Sequence, residues 1–226
     1  MTVEHREYEH FVRSIVRGRP YGEPLLTGDV VRLFVKRRPE IPVERARKIV
    51  YWALGRLVRD DVVRRCARGV YIRTKRYRLG DMIDKTVGMT RTEAMSRLLT
   101  RSKSRIIGYE TVPSLMNRIG LSTMMTRRID IATNKYRRII PERVNVIVHK
   151  PPLTVTPGNV RYLQVISIIK GLETCHVDAE NPQKIVRNII KRFGLDTEAL
   201  KTLYEKIHGD GWKNGSPTVA RILNGA

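Results

Sequence analysis

The sequence predicts an α+β chain in two parts, a basic unit of three helices and a β-hairpin followed by a mixed α/β region that ends in helices. Three observations carry this. Hydrophobic residues recur at helical spacing from Tyr8 to Leu57. Two short runs of strand-forming residues then flank an Arg-Gly turn. Beyond a basic connector, helical and alternating segments follow one another to the end.

The first helix is predicted over residues 4–18, where Tyr8, Phe11, Val12, Ile15 and Val16 share a side, and Gly18 and Pro20 stop it. A second helix starts at Thr27, read as its N-cap, with Asp29 in the first turn and Val30, Val31, Phe34 and Val35 on its apolar side. The third helix spans residues 42–60 and opens on Pro42, a first-turn residue. At roughly 100° per residue, Val43, Ala46, Val50, Ala53, Leu54 and Leu57 form a core side. Arg45, Lys48, Trp52, Arg56 and Arg59 fall opposite. Val62 and Val63, then Val70, Tyr71 and Ile72, read as two strands joined by Ala67, Arg68 and Gly69. Three helices followed by a hairpin is the order of a winged helix-turn-helix.

Residues 73–80 read as a basic connector, which sets the domains at 1–76 and 77–226. The second part opens with a helix from Arg91 to Arg101, with Thr90 and Glu93 spaced as a capping box. Helices are expected at Thr111–Ile119, Asn159–Gly171, Gln183–Arg192 and Thr197–Ile207, and strands at Ile129–Ala132 and Val144–Val148.

Charge narrows the function. The 226 residues hold 44 Lys and Arg against 22 Asp and Glu, a net of +22. Residues 1–80 carry +11, residues 81–150 carry +8 and the remainder only +3. Such a field attracts polyanions, and nucleic acid is the usual one because each neutralised phosphate releases a counterion. A membrane-surface protein would gather its cations on one amphipathic helix; here they are spread over several elements. No apolar run approaches the ~20 residues of a membrane span, and the N-terminus lacks a secretion signal, so a cytoplasmic protein is expected. Cys66 and Cys175 have no partner at metal-site spacing and read as two reduced thiols.

The third helix and hairpin suit duplex DNA. The major groove admits one helix, whose N-terminal half meets the base edges. Arg45 and Lys48 are therefore the candidate base contacts. Trp52 is placed against sugar or phosphate, Arg47 and Tyr51 at the margins toward the backbone, and Arg56 late in the helix toward phosphate. Arg64, Arg65 and Arg68 arm the hairpin, where Arg suits a narrow minor groove. Arg73, Lys75 and Arg76 extend the track. Solvated charge, or a protein-contact role for the same fold, explains any one of these residues equally well; the case rests on the set.

No pattern for catalysis is found. The histidines match no metal-ligand spacing, Cys175-His176 are adjacent and diverge, and no phosphate-binding glycine loop occurs. Asp178 and Glu180 read as a solvated loop rather than a metal site. No cofactor, metal or catalytic residue is expected. The alternative is a nucleic-acid-processing enzyme, a nuclease or nucleotidyltransferase, targeted by the first domain. RNA binding ranks lower, because few aromatics are available for base stacking.

The stretch ALGRLVRDDVVRRCARGVY resembles the helix-and-wing segment of AbiEi-type antitoxins through Ala53, Leu54, Arg56 and Leu57, then Val62 to Arg65, Gly69 and Tyr71. GYETVPSLMNRIGLST and the strands RRIDIATNK and RVNVIVHKPP follow in the same order, so the resemblance covers about residues 1–175. It implies a transcriptional autorepressor that binds operator repeats and neutralises a nucleotidyltransferase-like toxin. Arg45, Lys48, Arg64, Arg65 and Arg68 would then contact the operator. The chain departs from the family at Asp60-Asp61, which replace the usual glycine; two carboxylates there imply a corner turned away from DNA.

Overall fold

The computed structural model describes residues 3–79, 83–87, 89–138, 140–141, 144–209 and 221–222. The fold is mixed α+β. It divides into two compact units, Met1–Arg97 and Leu98–Ala226. The sequence boundary at 76/77 thus falls inside the first unit.

The first unit contains α1 (Val3–Arg17), β1 (Leu25–Leu26), α2 (Thr27–Arg37), α3 (Val43–Arg59), β2 (Val63–Ala67) and β3 (Val70–Arg73). The three strands form one sheet in the order β1-β3-β2, antiparallel throughout. Val12 and Val16 of α1, Val30 and Phe34 of α2, and Val50, Ala53, Leu54 and Leu57 of α3 meet in one buried core. Phe34 is its centre, with Tyr8 and Phe11 edge-on at 5.9 and 5.4 Å. Val43 departs from the expected core side and is 50% exposed. It opens α3 after the Pro42 cap, one turn before the helix meets its neighbours.

Two caps differ from expectation in an instructive way. Thr27 is the first helical residue rather than the N-cap, which is Leu26. Its amide donates to the Gly69 carbonyl at 2.9 Å, tying α2 to the hairpin turn. Gly69 sits at φ 71°, the left-handed conformation the turn requires. At the end of α3 the Val62 amide reaches Leu57 O at 2.9 Å and the Asp61 amide reaches Val58 O at 3.2 Å. This is a Schellman closure with Asp61, at φ 52°, where glycine is usual.

The expected connector is a strand. β4 (Lys75–Leu79) pairs antiparallel with β5 (Ile83–Val87), matching Tyr77 with Lys85 and Leu79 with Ile83. Arginines alternating with Tyr77 and Leu79 had read as a charge run because they obscure the period of two. After β5, α4 (Arg91–Thr100) begins with the expected capping box: Thr90 N donates to Glu93 Oε2 at 2.7 Å and Glu93 N to Thr90 Oγ1 at 3.1 Å. These bonds hold the Glu93 carboxyl below its ordinary range.

The second unit continues with β6 (Arg101–Ser102), β7 (Arg105–Ile106), β8 (Gly108–Glu110), α5 (Ser114–Arg118), β9 (Ile129–Thr133) and β10 (Val146–His149). The sheet runs β10-β9-β8, with β9 and β10 parallel and β8 antiparallel to β9. Three helices follow: α6 (Val160–Thr174), α7 (Pro182–Phe193) and α8 (Thr197–His208). Buried Val165, Ile166, Ile168 and Ile169 of α6 pack with Val186 and Ile190 of α7 and Leu200 of α8. Asn181 and Asp196 cap α7 and α8 with their side chains, and Gly194 ends α7 at φ 60°. Among the described residues, no helix is long and apolar enough to cross a membrane.

Candidate nucleic-acid interface

The buried side of α3 is Ala46, Val50, Ala53, Leu54 and Leu57. Its exposed side is Glu44, Arg45, Arg47, Lys48, Tyr51, Gly55 and Arg59. Arg47 and Tyr51, expected at the margins, therefore stand on the open face with Lys48. Tyr51 is 47% exposed. Arg47 is steered by Glu44 one turn back, at 3.2 Å.

Trp52 and Arg56 are not on that face. Trp52 is half-buried against the core, and Arg56 lies 3.6 Å from Glu9 of α1. The helical period places residues around an axis but does not say which edge a neighbouring helix covers. α1 covers the edge that carries Arg56.

The hairpin presents Arg64, Arg65 and Arg68, all exposed. A β-bulge between Arg65 and Ala67 lets Arg64 and Arg65 both reach solvent while Cys66 turns inward. Burial pushes the Cys66 thiol up, against the opposing pull of Arg91 and Arg64, so it stays protonated. Tyr71 of β3 lies opposite Arg65 in the ladder. Burial raises its phenol above the ordinary value, Arg65 opposes that shift and Tyr51 adds to it. Tyr71 is buried in the same core as Ala46, Val50 and Leu54 of α3, so the helix and the hairpin that carries Arg65 share one packed base.

Arg73 is held by the fold. Its guanidinium donates to Arg17 O at 2.9 Å and to Arg19 O, and it stacks 3.9 Å from the Tyr21 ring centre. It closes the C-terminus of α1, where the helix dipole favours a cation. Lys75 and Arg76 lie in β4, and their side chains lie outside the described residues.

The Asp60-Asp61 corner has a structural role. Asp60 pairs with Arg13 of α1, and Arg13 also meets Glu9 at 3.2 Å. Gly55 carries no motif of its own in the sequence. It lies mid-helix on the open face, and a Cβ there would meet nothing within 4 Å. An exposed glycine in a helix costs ~1 kcal/mol against alanine, and that unexplained cost was the available signal.

In the second unit, Asp178 is bound to Thr123. Its carboxylate accepts from Thr123 N at 2.9 Å and from Thr123 Oγ1, and these bonds lower its pKa, with His176 assisting. Buried Asp130 accepts from His149 Nε2 at 2.7 Å, a pair that orients the half-exposed imidazole. Among the described residues, no three of His, Cys, Asp and Glu gather as metal ligands.

Compared with known protein families and with curated proteins, the chain matches no family model and no curated protein.

Proposed function

We propose that the first unit is a winged helix-turn-helix that binds duplex DNA, with α3 as the groove-reading helix and β2–β3 as the wing. The observation that carries this is the pairing of an open α3 face, Arg47, Lys48 and Tyr51, with exposed Arg64 and Arg65 of a hairpin whose Tyr71 packs in the same core as α3. Its acidic neighbours are few: Glu44 is paired with Arg47, and Asp60 is engaged by Arg13. A helix face bearing Lys and Arg with no side chain at Gly55 lets the helix axis approach a phosphate backbone closely.

In this reading Lys48 and Arg47 address base edges or flanking phosphates, Tyr51 packs on the sugar-phosphate chain, and Arg68 at the hairpin tip addresses the minor groove. Arg45 stands at the edge of the open face as a further phosphate contact. Arg56 and Arg73 belong to the scaffold.

The test is selection of a preferred duplex from a random pool, followed by binding of the Lys48→Ala/Tyr51→Ala variant. The expected loss is ~1–3 kcal/mol per base-reading contact, with relaxed sequence preference. Unchanged affinity and preference would mean that α3 does not enter the groove.

The resemblance to AbiEi-type antitoxins supports a further step: the chain represses its own operon and neutralises a nucleotidyltransferase-like toxin. Co-expression with the neighbouring reading frame tests this. Growth arrest by that frame alone, relieved by this chain, is expected. A neighbour that is harmless alone removes the antitoxin role and leaves DNA binding.

A further inference from the structure

We infer a second polyanion-binding site at one end of the sheet in the second unit, built to take a nucleic-acid phosphate backbone independently of α3. The topology assembles it. Because β9 and β10 run parallel, they finish at the same end, at Thr133 and His149. β8 runs the other way and starts there, with Gly108 opposite Thr133. The β6–β7 hairpin is fastened to that end, since Asn134 N donates to Ile107 O at 2.9 Å and Thr133 Oγ1 to Ile107 O at 3.1 Å. Three chain segments therefore converge. They contribute Arg101 and Arg105, Arg137 and Arg138, and Lys150.

Charge is one-sided at this end. Residues 98–109, 133–141 and 149–160 contain no Asp or Glu. Of the sheet's carboxylates, buried Asp130 is committed to His149, and Glu110, at the far end of β8, to Arg118.

The cations are also held in place. Asn134 clamps the third segment, donating to Val155 O and accepting from Val155 N, each at 2.9 Å. Tyr136 then carries the Arg137 guanidinium and the Lys150 ammonium at 5.7 and 5.8 Å from its ring centre. Beside it a recess lined by Asn134, Tyr136, Lys150, Pro151, Leu153 and Thr154 offers a phosphate a seat.

The chemistry favours a phosphate backbone over an acidic protein. Protein interfaces have an apolar, aromatic-rich centre. Among the described residues, none of the exposed large hydrophobics, Tyr21, Val43, Tyr51, Met124, Met125 and Ile147, lies in these three segments. Spaced cations without an apolar centre are what a phosphodiester chain requires.

The experiment uses the full chain with Arg101, Arg105, Arg137 and Lys150 all changed to Gln, positions that are exposed. Binding to random-sequence duplex DNA is measured across a salt series, with polyglutamate as a second probe. The expected result is weaker DNA binding and a slope of log affinity against log salt whose magnitude falls by about 3.6, since each of the four lost phosphate contacts removes ~0.9. The Arg105→Lys/Arg137→Lys variant, which keeps the charge, retains the wild-type slope. An unchanged slope in the four-site variant overturns the inference, as does loss of polyglutamate binding with DNA binding intact. The Lys48→Ala/Tyr51→Ala variant separates the two sites: the α3 reading fails if sequence preference survives in it, whatever the sheet-end variant does.

Discussion

Arg56 of α3 lies 3.6 Å from Glu9 of α1, with its Nε buried, so the last turn of α3 is tied to α1 rather than offered to a ligand. Glu9 is only 14% exposed in its side chain and is shared with Arg13. Removing Arg56 leaves a half-compensated carboxylate at a helix–helix contact. Arg56→Ala is expected to lower the unfolding free energy by ~1 kcal/mol, the scale of a partly solvated pair. DNA affinity at matched folded fraction should stay at the wild-type level. A denaturant titration beside a binding isotherm checks both; weakened binding with unchanged stability would return Arg56 to the interface.

Gly55→Ala separates helix propensity from contact. The added methyl meets open space, and alanine is favoured over glycine in a helix by ~1 kcal/mol. The variant should therefore be more stable. If α3 lies in the groove with Gly55 against the backbone, the same methyl weakens DNA binding. Higher melting temperature with reduced affinity is the expected pair of results, and unchanged affinity would place Gly55 away from DNA.

The helices were legible because their apolar residues repeat with a period that packing later uses: Val12, Phe34 and Leu54 were all read as core and are fully buried. The Thr90–Glu93 box was legible because both halves of a cap are local in sequence. What failed depended on distant neighbours. Arg56 reaches Glu9 of α1 and Trp52 packs on the core, outcomes set by how the helices cross and not by the composition of any one of them. Arg73 looks like the start of a basic track until α1 ends beside it with carbonyls to satisfy. The sheet end that gathers Arg101, Arg137 and Lys150 requires parallel pairing of β9 and β10, which no local pattern encodes.

His208 makes the second unit sensitive to acid. Its ring lies 4.7 Å from that of Tyr204, and burial, reinforced by Lys170 and opposed by Glu173, lowers its pKa below 6.5. The folded chain thus binds this proton more weakly than the unfolded chain. The stability it supports is complete above the unfolded value, falls as pH drops from there to the folded value, and is constant below. As pH drops below ~6.5 the wild type should lose stability that His208→Gln retains. Parallel pH profiles for the two proteins, by chemical denaturation, would dismiss this role.

Two glycines should differ sharply when given a methyl. At Gly108 the new Cβ would lie 2.5 Å from Leu99 O of α4 and 2.7 Å from Ala132 O of β9, both backbone atoms. At Gly171 it would meet Val112 Cγ1 at 2.8 Å and Met116 Sδ at 2.9 Å, side-chain atoms, the second on a flexible chain. Overpacking costs ~1–3 kcal/mol where neighbours can shift and more where they cannot. Gly108→Ala should unfold the second unit more readily than Gly171→Ala, read as the difference in denaturant midpoint. The reverse order would show that the sheet end yields.

Asp61 holds a position that chain geometry reserves for glycine. At φ 52° it completes the Schellman closure of α3, and a non-glycine residue there carries strain of ~1 kcal/mol. Asp61→Gly is expected to stabilise the first unit by ~0.5–1 kcal/mol after the greater freedom of glycine in the unfolded chain is subtracted. Asp61→Asn separates charge from backbone, because asparagine tolerates the same φ without the carboxylate. If the corner faces away from DNA, both variants bind DNA with wild-type affinity and only the glycine is more stable. A rise in affinity common to both would show that the Asp61 carboxylate repels phosphate, and α3 would then meet the groove with its C-terminal end.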